Sequence, residues 1–248
     1  MDEPIGNQFM RLTTGRYAPS AQEQGLPQPP LELDYPATAP LIALPAPGDI
    51  HTPALDVRAA IERRITLRRY QDAPIRLDEL AFLLWATQGV KRVTERPATL
   101  RTVPSAGARH AFESYLLLNK VEGVTPGLYR YIALEHALLP LESPPGLDNQ
   151  ITADCYDQQM VKNSAVFFIW AAVAERMTWR YSQRGYRYLH LDAGHICQNL
   201  YLAAEAVNCG VCAIAAFNDT ALNGTLGFDS ESMFTVYCAA LGRKLPPA

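Results

Sequence analysis

At 248 residues, 48% of them hydrophobic, the chain has the length and apolar content for one large domain, or one domain with an arm. Its formal charge of -3 argues against a nucleic-acid binder, whose domains are usually basic. Its longest apolar run, AVFFIWAAVA at 165–174, falls short of the roughly 20 residues that cross a bilayer.

The N-terminal MDEPIGNQFMRL carries acids where a secretion signal has bases and lacks an apolar centre, so a cytoplasmic protein is expected. Residues 1–55 are proline-rich yet studded with Leu31, Leu33, Tyr35, Leu41, Ile42 and Leu44. Proline denies amide donors to helix and sheet, whereas so many apolar groups are unsuited to a solvated tail. An extended arm lying on the folded domain or on a partner subunit is expected. The folded domain is expected over 56–248. Asp56 is placed to cap the helix VRAAIERR. LDELAFLLWATQG at 77–89 is a second helix, with acids in its first turn and glycine at its end. SYLLLN at 114–119 reads as a strand, and 126–141 reads as a hairpin of short strands. AVFFIWAAV reads as a central strand buried on both faces. Residues 189–210 form a long helix with Ile196, Leu200, Ala203, Ala204 and Val207 at helical spacing. VCAIAAF and MFTVYCAAL are strands around a short helix at 219–227. This order lacks a steady βαβ rhythm, so the fold class is α+β.

Three stretches invite chemistry. RRITLRRY at 63–70 packs four arginines into eight positions. In an extended segment Arg64, Thr66 and Arg68 share a face, with Arg69 on the other. Two guanidiniums and a hydroxyl suit a phosphate monoester, although a solvated, ion-paired helix end fits the residues equally well. TVPSAGARH at 102–110 is small and turn-prone, which suits close backbone approach to a flat ligand; by itself an ordinary tight turn is the better reading. Cys209 and Cys212 form a CxxC pair, but they straddle a helix end and a strand and have no second pair, so buried thiols are favoured over a redox or zinc site. The five cysteines are an odd number, and reduced thiols are expected. His190 and His195 are five apart and point to different helix faces, so no metal site is expected.

The order of these pieces resembles the FMN-dependent nitroreductase superfamily, and within it the branch of SagB-type azoline dehydrogenases. The resemblance is carried by Arg63–Arg68, LLWATQG at 83–89, PSAGA at 104–108, GLYRY at 127–131, DAGHICQNLYLAAE at 192–205 and the strand end at 213–217, over about residues 56 to 243. It implies a mixed or antiparallel sheet flanked by helices, FMN as cofactor and a homodimer with shared flavin sites. The anion awaited by the arginines is then the FMN phosphate. Arg64, Thr66 and Arg68, with Ile65 between them, would meet the phosphate, ribityl chain and ring edge, with Arg68 as the charge near N1. Pro104, Ser105, Ala106 and Gly107 would line the isoalloxazine from the second subunit. The backbone of Ala215 and Ala216 would lie near N5, and Arg243 is a further phosphate ligand. The implied activity is ping-pong hydride transfer between NAD(P)H and an electron-poor acceptor such as a nitroaromatic or quinone, with Tyr181 and His110 handling protons. The alternatives are azoline dehydrogenation in peptide modification and a non-catalytic flavin-binding partner subunit. Where the azoline enzymes carry a Lys-Tyr pair, this chain reads Arg180-Tyr181, and arginine does not act as a base near neutral pH.

Overall fold

Eight consecutive buried residues explain why the chain folds around its middle. In the computed structural model, which describes residues 3–15 and 19–246, Val166–Val173 is a strand without a single exposed side chain. Phe168 and Trp170 point into one apolar core, while Phe167 and Ile169 point into another. This is the alternation of a strand covered on both faces. Burying each such side chain contributes about 1.5–3 kcal/mol.

In chain order the elements are α1 (Ile5–Leu12), β1 (Ile42–Ala43), α2 (Val57–Arg63), α3 (Leu77–Gln88), β2 (Val90–Val93), β3 (Thr99–Arg101), β4 (Phe112–Leu118), β5 (Gly127–Ile132), β6 (Ala137–Pro140), α4 (Leu147–Asp154), α5 (Met160–Asn163), β7 (Val166–Val173), α6 (Ala174–Tyr181), α7 (Gly185–Ala206), β8 (Cys209–Ile214), α8 (Asp219–Leu226) and β9 (Met233–Arg243). Seven strands form one sheet in the order β1-β6-β5-β4-β7-β9-β8, antiparallel at every pairing; β2 and β3 make a separate ribbon. The fold is therefore α+β, with helices on both faces. Leu80, Leu83 and Leu84 of α3 and Leu200 of α7 fill the first core. Ile151 of α4 and Leu222 of α8 fill the second.

Several elements differ from the sequence reading. Helix α7 begins four residues before 189, because its first turn buries Gly185 against Met177 of α6. Helix α6 itself was not expected. It follows directly from β7, and its apolar side is short. Strand β9 runs on to Arg243, where it pairs with Cys209.

The proline-rich arm lies on its own chain. Trp179 Nε1 donates to the Leu26 carbonyl at 3.0 Å and Arg176 Nε to Pro30 at 2.9 Å. Arg130 Nη2 donates to the Leu33 carbonyl at 2.9 Å, and Ile42–Ala43 adds a two-residue strand beside β6. Beneath the arm, Arg176 and Glu113 form an ion pair at 2.7 Å with both side chains 3% exposed. Glu113 also accepts from the Leu33 amide, and Glu32 accepts from Ala133 N. Burial, followed by the nearby charge of Glu113, raises the Glu32 carboxyl above the ordinary carboxylate range. Within the arm, IGNQFMRL forms helix α1, also unexpected. Met1, Asp2 and the final Pro247-Ala248 lie outside the described residues.

Candidate functional site

The arginine segment is positioned by its neighbours rather than by its own regularity. Asp56 caps α2 by accepting from Arg58 N and Ala59 N, and the helix ends at Arg63. The chain then runs along β8, the last strand of the sheet. Thr66 bridges Val211 in parallel, and Leu67 N donates to the Val211 carbonyl at 2.9 Å. Leu67 packs so closely on Gly210 that a Cβ there would come within 2.2 Å of it. Tyr70 holds the far end through its hydroxyl, which lies 2.8 Å from the Leu67 carbonyl and 3.0 Å from that of Ala240.

A small polar cluster results. The Arg64 guanidinium lies 5.3 Å over the Tyr201 ring, and the hydroxyls of Thr66 and Tyr201 are 3.1 Å apart. Tyr201 also accepts from Ala213 N at 3.0 Å, tying the cluster to β8. The sequence reading missed Tyr201, whose only signal was its position on the inward side of α7. Arg63, Arg64, Arg68 and Arg69 have no carboxylate partner among the described residues, whereas Arg11, Arg58, Arg76, Arg176 and Arg243 all do. Ile65 is 57% exposed. The strict alternation expected for 64, 66 and 68 is not kept beyond Leu67. Arg68 borders the same cleft as Arg69, with Lys120 and Asn163, because the segment makes one bridge rather than a strand.

The 102–110 turn is built on Asp192. This buried carboxylate of α7 accepts from Ser105 Oγ at 2.6 Å and from Ala106 N at 3.2 Å. Ser105 Oγ accepts in turn from His110 N at 2.9 Å, closing the loop on itself. Burial raises the Asp192 carboxyl, and the Ser105 and Ala106 hydrogen bonds oppose that shift. Gly107 has a φ of +57° and lies against the Tyr181 hydroxyl, where a Cβ would come within 2.4 Å of the oxygen. The Tyr181 hydroxyl has no hydrogen-bond partner among the described residues, and its ring packs edge-on against Tyr188. Pro104 is exposed and Ser105–Ala108 are half-buried, so the small residues remain reachable.

Two expected site residues are engaged elsewhere. His110 is buried beneath the turn, and burial together with Arg101 and Arg109 pushes its imidazole down to about 3. It is neutral near pH 7 and has no imidazolium proton to deliver. Arg243 pairs with buried Glu79 and donates to the carbonyls of Val207 at 2.7 Å and Pro74 at 3.2 Å. That guanidinium fastens the end of β9 to α3 and is not free for a phosphate.

Ala215 and Ala216 are exposed just beyond β8, and their amides make no hydrogen bond among the described residues. Phe217 is buried after them, and Asn218 caps α8 by accepting from Ala221 N. Cys209 and Cys212 belong to cores on opposite faces of the sheet, so their sulfurs cannot act as one dithiol. Burial pushes Cys209 up to about 12 and raises Cys212. Among the described residues no group of histidines, cysteines and acids could hold a metal, and no helix is long and apolar enough to cross a membrane.

The arginine cluster and the Asp192 turn sit at different places along α7. Tyr201 and Asp192 are nine residues apart, which is about 14 Å along the axis and roughly half a turn around it. One side of the helix therefore serves the arginine segment and β8, and the other the small-residue turn.

Residues 61–243 match the Nitroreductase family, and the chain belongs to it and is an oxidoreductase of that family. A protein of Methanocaldococcus jannaschii named as a nitroreductase is 32% identical over 183 residues, which is 74% of this chain and 88% of that one. A nitroreductase structure from Anabaena variabilis is 27% identical with a TM-score of 0.65, spanning 77% of this chain but only 38% of its own. A nitroreductase from Desulfovibrio desulfuricans in complex with FMN is 17% identical, covering 79% and 93% of the two chains at a TM-score of 0.55. The Escherichia coli microcin synthetase McbBCD complex with truncated pro-microcin bound contains a chain 16% identical, covering 98% and 92% at a TM-score of 0.62.

Proposed function

We propose that this oxidoreductase holds FMN and passes hydride, in two half-reactions, from NAD(P)H to an electron-poor planar acceptor such as a nitroaromatic or quinone. The observation that carries this reading is the run of guanidiniums beside β8 with no side-chain hydrogen bond or ion pair among the described residues, in a chain where most other described arginines are ion-paired or hydrogen-bonded. FMN accepts and returns hydride at its ring and carries one phosphate dianion. Arg64 and Thr66 would take that phosphate, each well-made charged hydrogen bond being worth about 1.5–3 kcal/mol. Arg68, turned toward the cleft it shares with Arg69, adds positive charge to the same segment. The free amides of Ala215 and Ala216 offer backbone donors beyond β8. Tyr181, whose hydroxyl has no other partner among the described residues, holds the proton that accompanies hydride to the acceptor.

The site is completed in a homodimer. The two half-sites face opposite sides of α7, so one flavin is reached by the arginine segment of one protomer and the Pro104–Gly107 turn of its partner. Such interfaces typically bury roughly 2,000 Å² or more. A cytoplasmic setting suits five free, buried thiols.

Purified protein should be yellow and release FMN on denaturation, identified by absorbance and mass. NAD(P)H should bleach it, and a quinone should restore the colour. Release of FAD, or of no flavin from a folded sample, overturns the reading. Light scattering that shows a flavin-loaded monomer overturns the shared site. A second reading, azoline dehydrogenation in peptide modification, is favoured by the likeness to a microcin synthetase chain over nearly the whole length, arm included. It requires flavin reduction by an azoline peptide despite Arg180 beside Tyr181. A yellow protein inert to every donor would instead be a partner subunit.

A further inference from the structure

Beyond the C-terminal end of β8 lies a cleft of about 480 Å³ that none of the expected site residues borders. Its wall is aromatic. Tyr186 of α7 and Phe234 of β9 stack within 9° of parallel with centroids 6.4 Å apart, and both are only partly buried. Its rim is acidic. Asp219 and Glu231 are exposed, and neither carboxylate has a hydrogen-bond or ion-pair partner among the described residues. No lysine or arginine lines the cleft.

Asn223 and Ser230, which also line the cleft, are engaged with one another. Asn223 Nδ2 donates to Ser230 Oγ at 3.1 Å, and Asn223 Oδ1 accepts from Thr235 N at 2.9 Å. The turn that carries Glu231 is itself rigidly built, since Asp229 Oδ1 accepts from the amides of Glu231, Ser232 and Met233 at 2.9 Å each. The cleft also adjoins the exposed backbone assigned to the flavin. Asp219 follows Ala216 by three residues, so their Cα atoms are within about 11 Å.

We propose that this cleft receives the acceptor and selects planar, electron-poor compounds that carry positive charge, of the aryl-ammonium or pyridinium type. A flat ring stacks on Tyr186 and Phe234. Cationic charge is attracted both to the aromatic faces and to the two carboxylates, while an anionic acceptor meets repulsion with no basic group to offset it. The inference rests on the oxidoreductase reading above and specifies the substrate class of an acceptor subsite beside the backbone assigned there to the flavin.

Three para-nitrobenzyl compounds of similar shape test it: the cation para-nitrobenzylammonium, the neutral para-nitrobenzyl alcohol and the anion para-nitrophenylacetate. Their dissociation constants on oxidised, flavin-loaded protein should favour the cation over the anion by roughly tenfold or more, the effect of one or two exposed charge contacts added to a ring face. In the double variant Asp219→Asn, Glu231→Gln the ratio should fall toward one. In the unmodified protein it should shrink on raising salt from about 0.05 M to about 0.5 M, a readout that needs no variant. A ratio near one in the unmodified protein, or one that survives the double variant, overturns the proposal. Reduction of the neutral compound without any charge preference refutes the selection and leaves the oxidoreductase reading standing. Charge-dependent binding of compounds that NAD(P)H never reduces through the flavin refutes the acceptor role itself.

Discussion

Two parts of this molecule are rich in arginine, and they have opposite fates. Beneath the proline-rich arm, Arg176 is buried against Glu113 and Arg130 donates to arm carbonyls. Beside β8, Arg63, Arg64, Arg68 and Arg69 meet no carboxylate among the described residues. Taking a guanidinium out of water costs several kcal/mol, so a buried one must find partners inside the fold. An accessible one is under no such obligation and can wait for an anion. Charge alone therefore says little about role. The partner, or the lack of one, separates the arginines that hold the arm from those assigned to a cofactor.

The comparison breaks most visibly at Arg176. Arg176→Met strands Glu113 in a site 3% exposed and should cost about 3–5 kcal/mol of stability, read as a lowered Tm. An unchanged Tm would mean that the arm seam is held by packing and not by its charges. The same buried region makes a pH prediction through His110. A histidine pushed down to about 3 stays neutral in the fold and gains its proton on unfolding once the pH drops below about 6.5. Its support is thus present above about pH 6.5 and is lost as pH falls toward about 3. The raised carboxyls of Glu32 and Asp192 act in the opposite sense. His110→Asn tolerates the positive φ at this position and should flatten the acid side of the stability profile by about 3 kcal/mol in urea titrations.

The open arginines predict smaller effects on a different observable. Arg64→Ala should leave the unfolding free energy of the flavin-free protein within about 0.5 kcal/mol and weaken FMN binding by about ten- to a hundred-fold. Arg58→Ala, which removes an exposed pair with Glu62, should change neither. Equal losses of flavin at both positions would dissolve the distinction. Tyr181→Phe tests the other half-site. Stopped-flow reoxidation should slow by roughly tenfold without loss of FMN, below the usual range for a general acid because water reaches a half-buried hydroxyl. Unchanged rates would leave Tyr181 as a wall against Gly107.

Much of the architecture was legible because it follows from local patterns. The apolar run around Phe167–Trp170 can only be satisfied between two layers. Asp56, Asn218 and the glycines after α3 and α8 mark helix ends through hydrogen bonds within a few residues. The arginine run and PSAGA were visible as compositional anomalies. Helix α6 was not legible, since its eight residues mix charged and aromatic groups and are fixed by packing on α7.

The sequence by itself determined the α+β class, the central strand, the family resemblance and the two stretches that carry the candidate site. Those properties rest on residue type and on interactions between near neighbours. Only the tertiary structure decided which side chains are engaged. Arg243 looked as available as Arg64 until β9 brought it to Glu79, 164 residues away in the chain. Asp192 looked like one more helix acid until it was found under the turn at Ser105, 87 residues earlier. Whether a charge is solvated, paired or waiting depends on what long-range folding sets beside it, and no spacing along the chain encodes that.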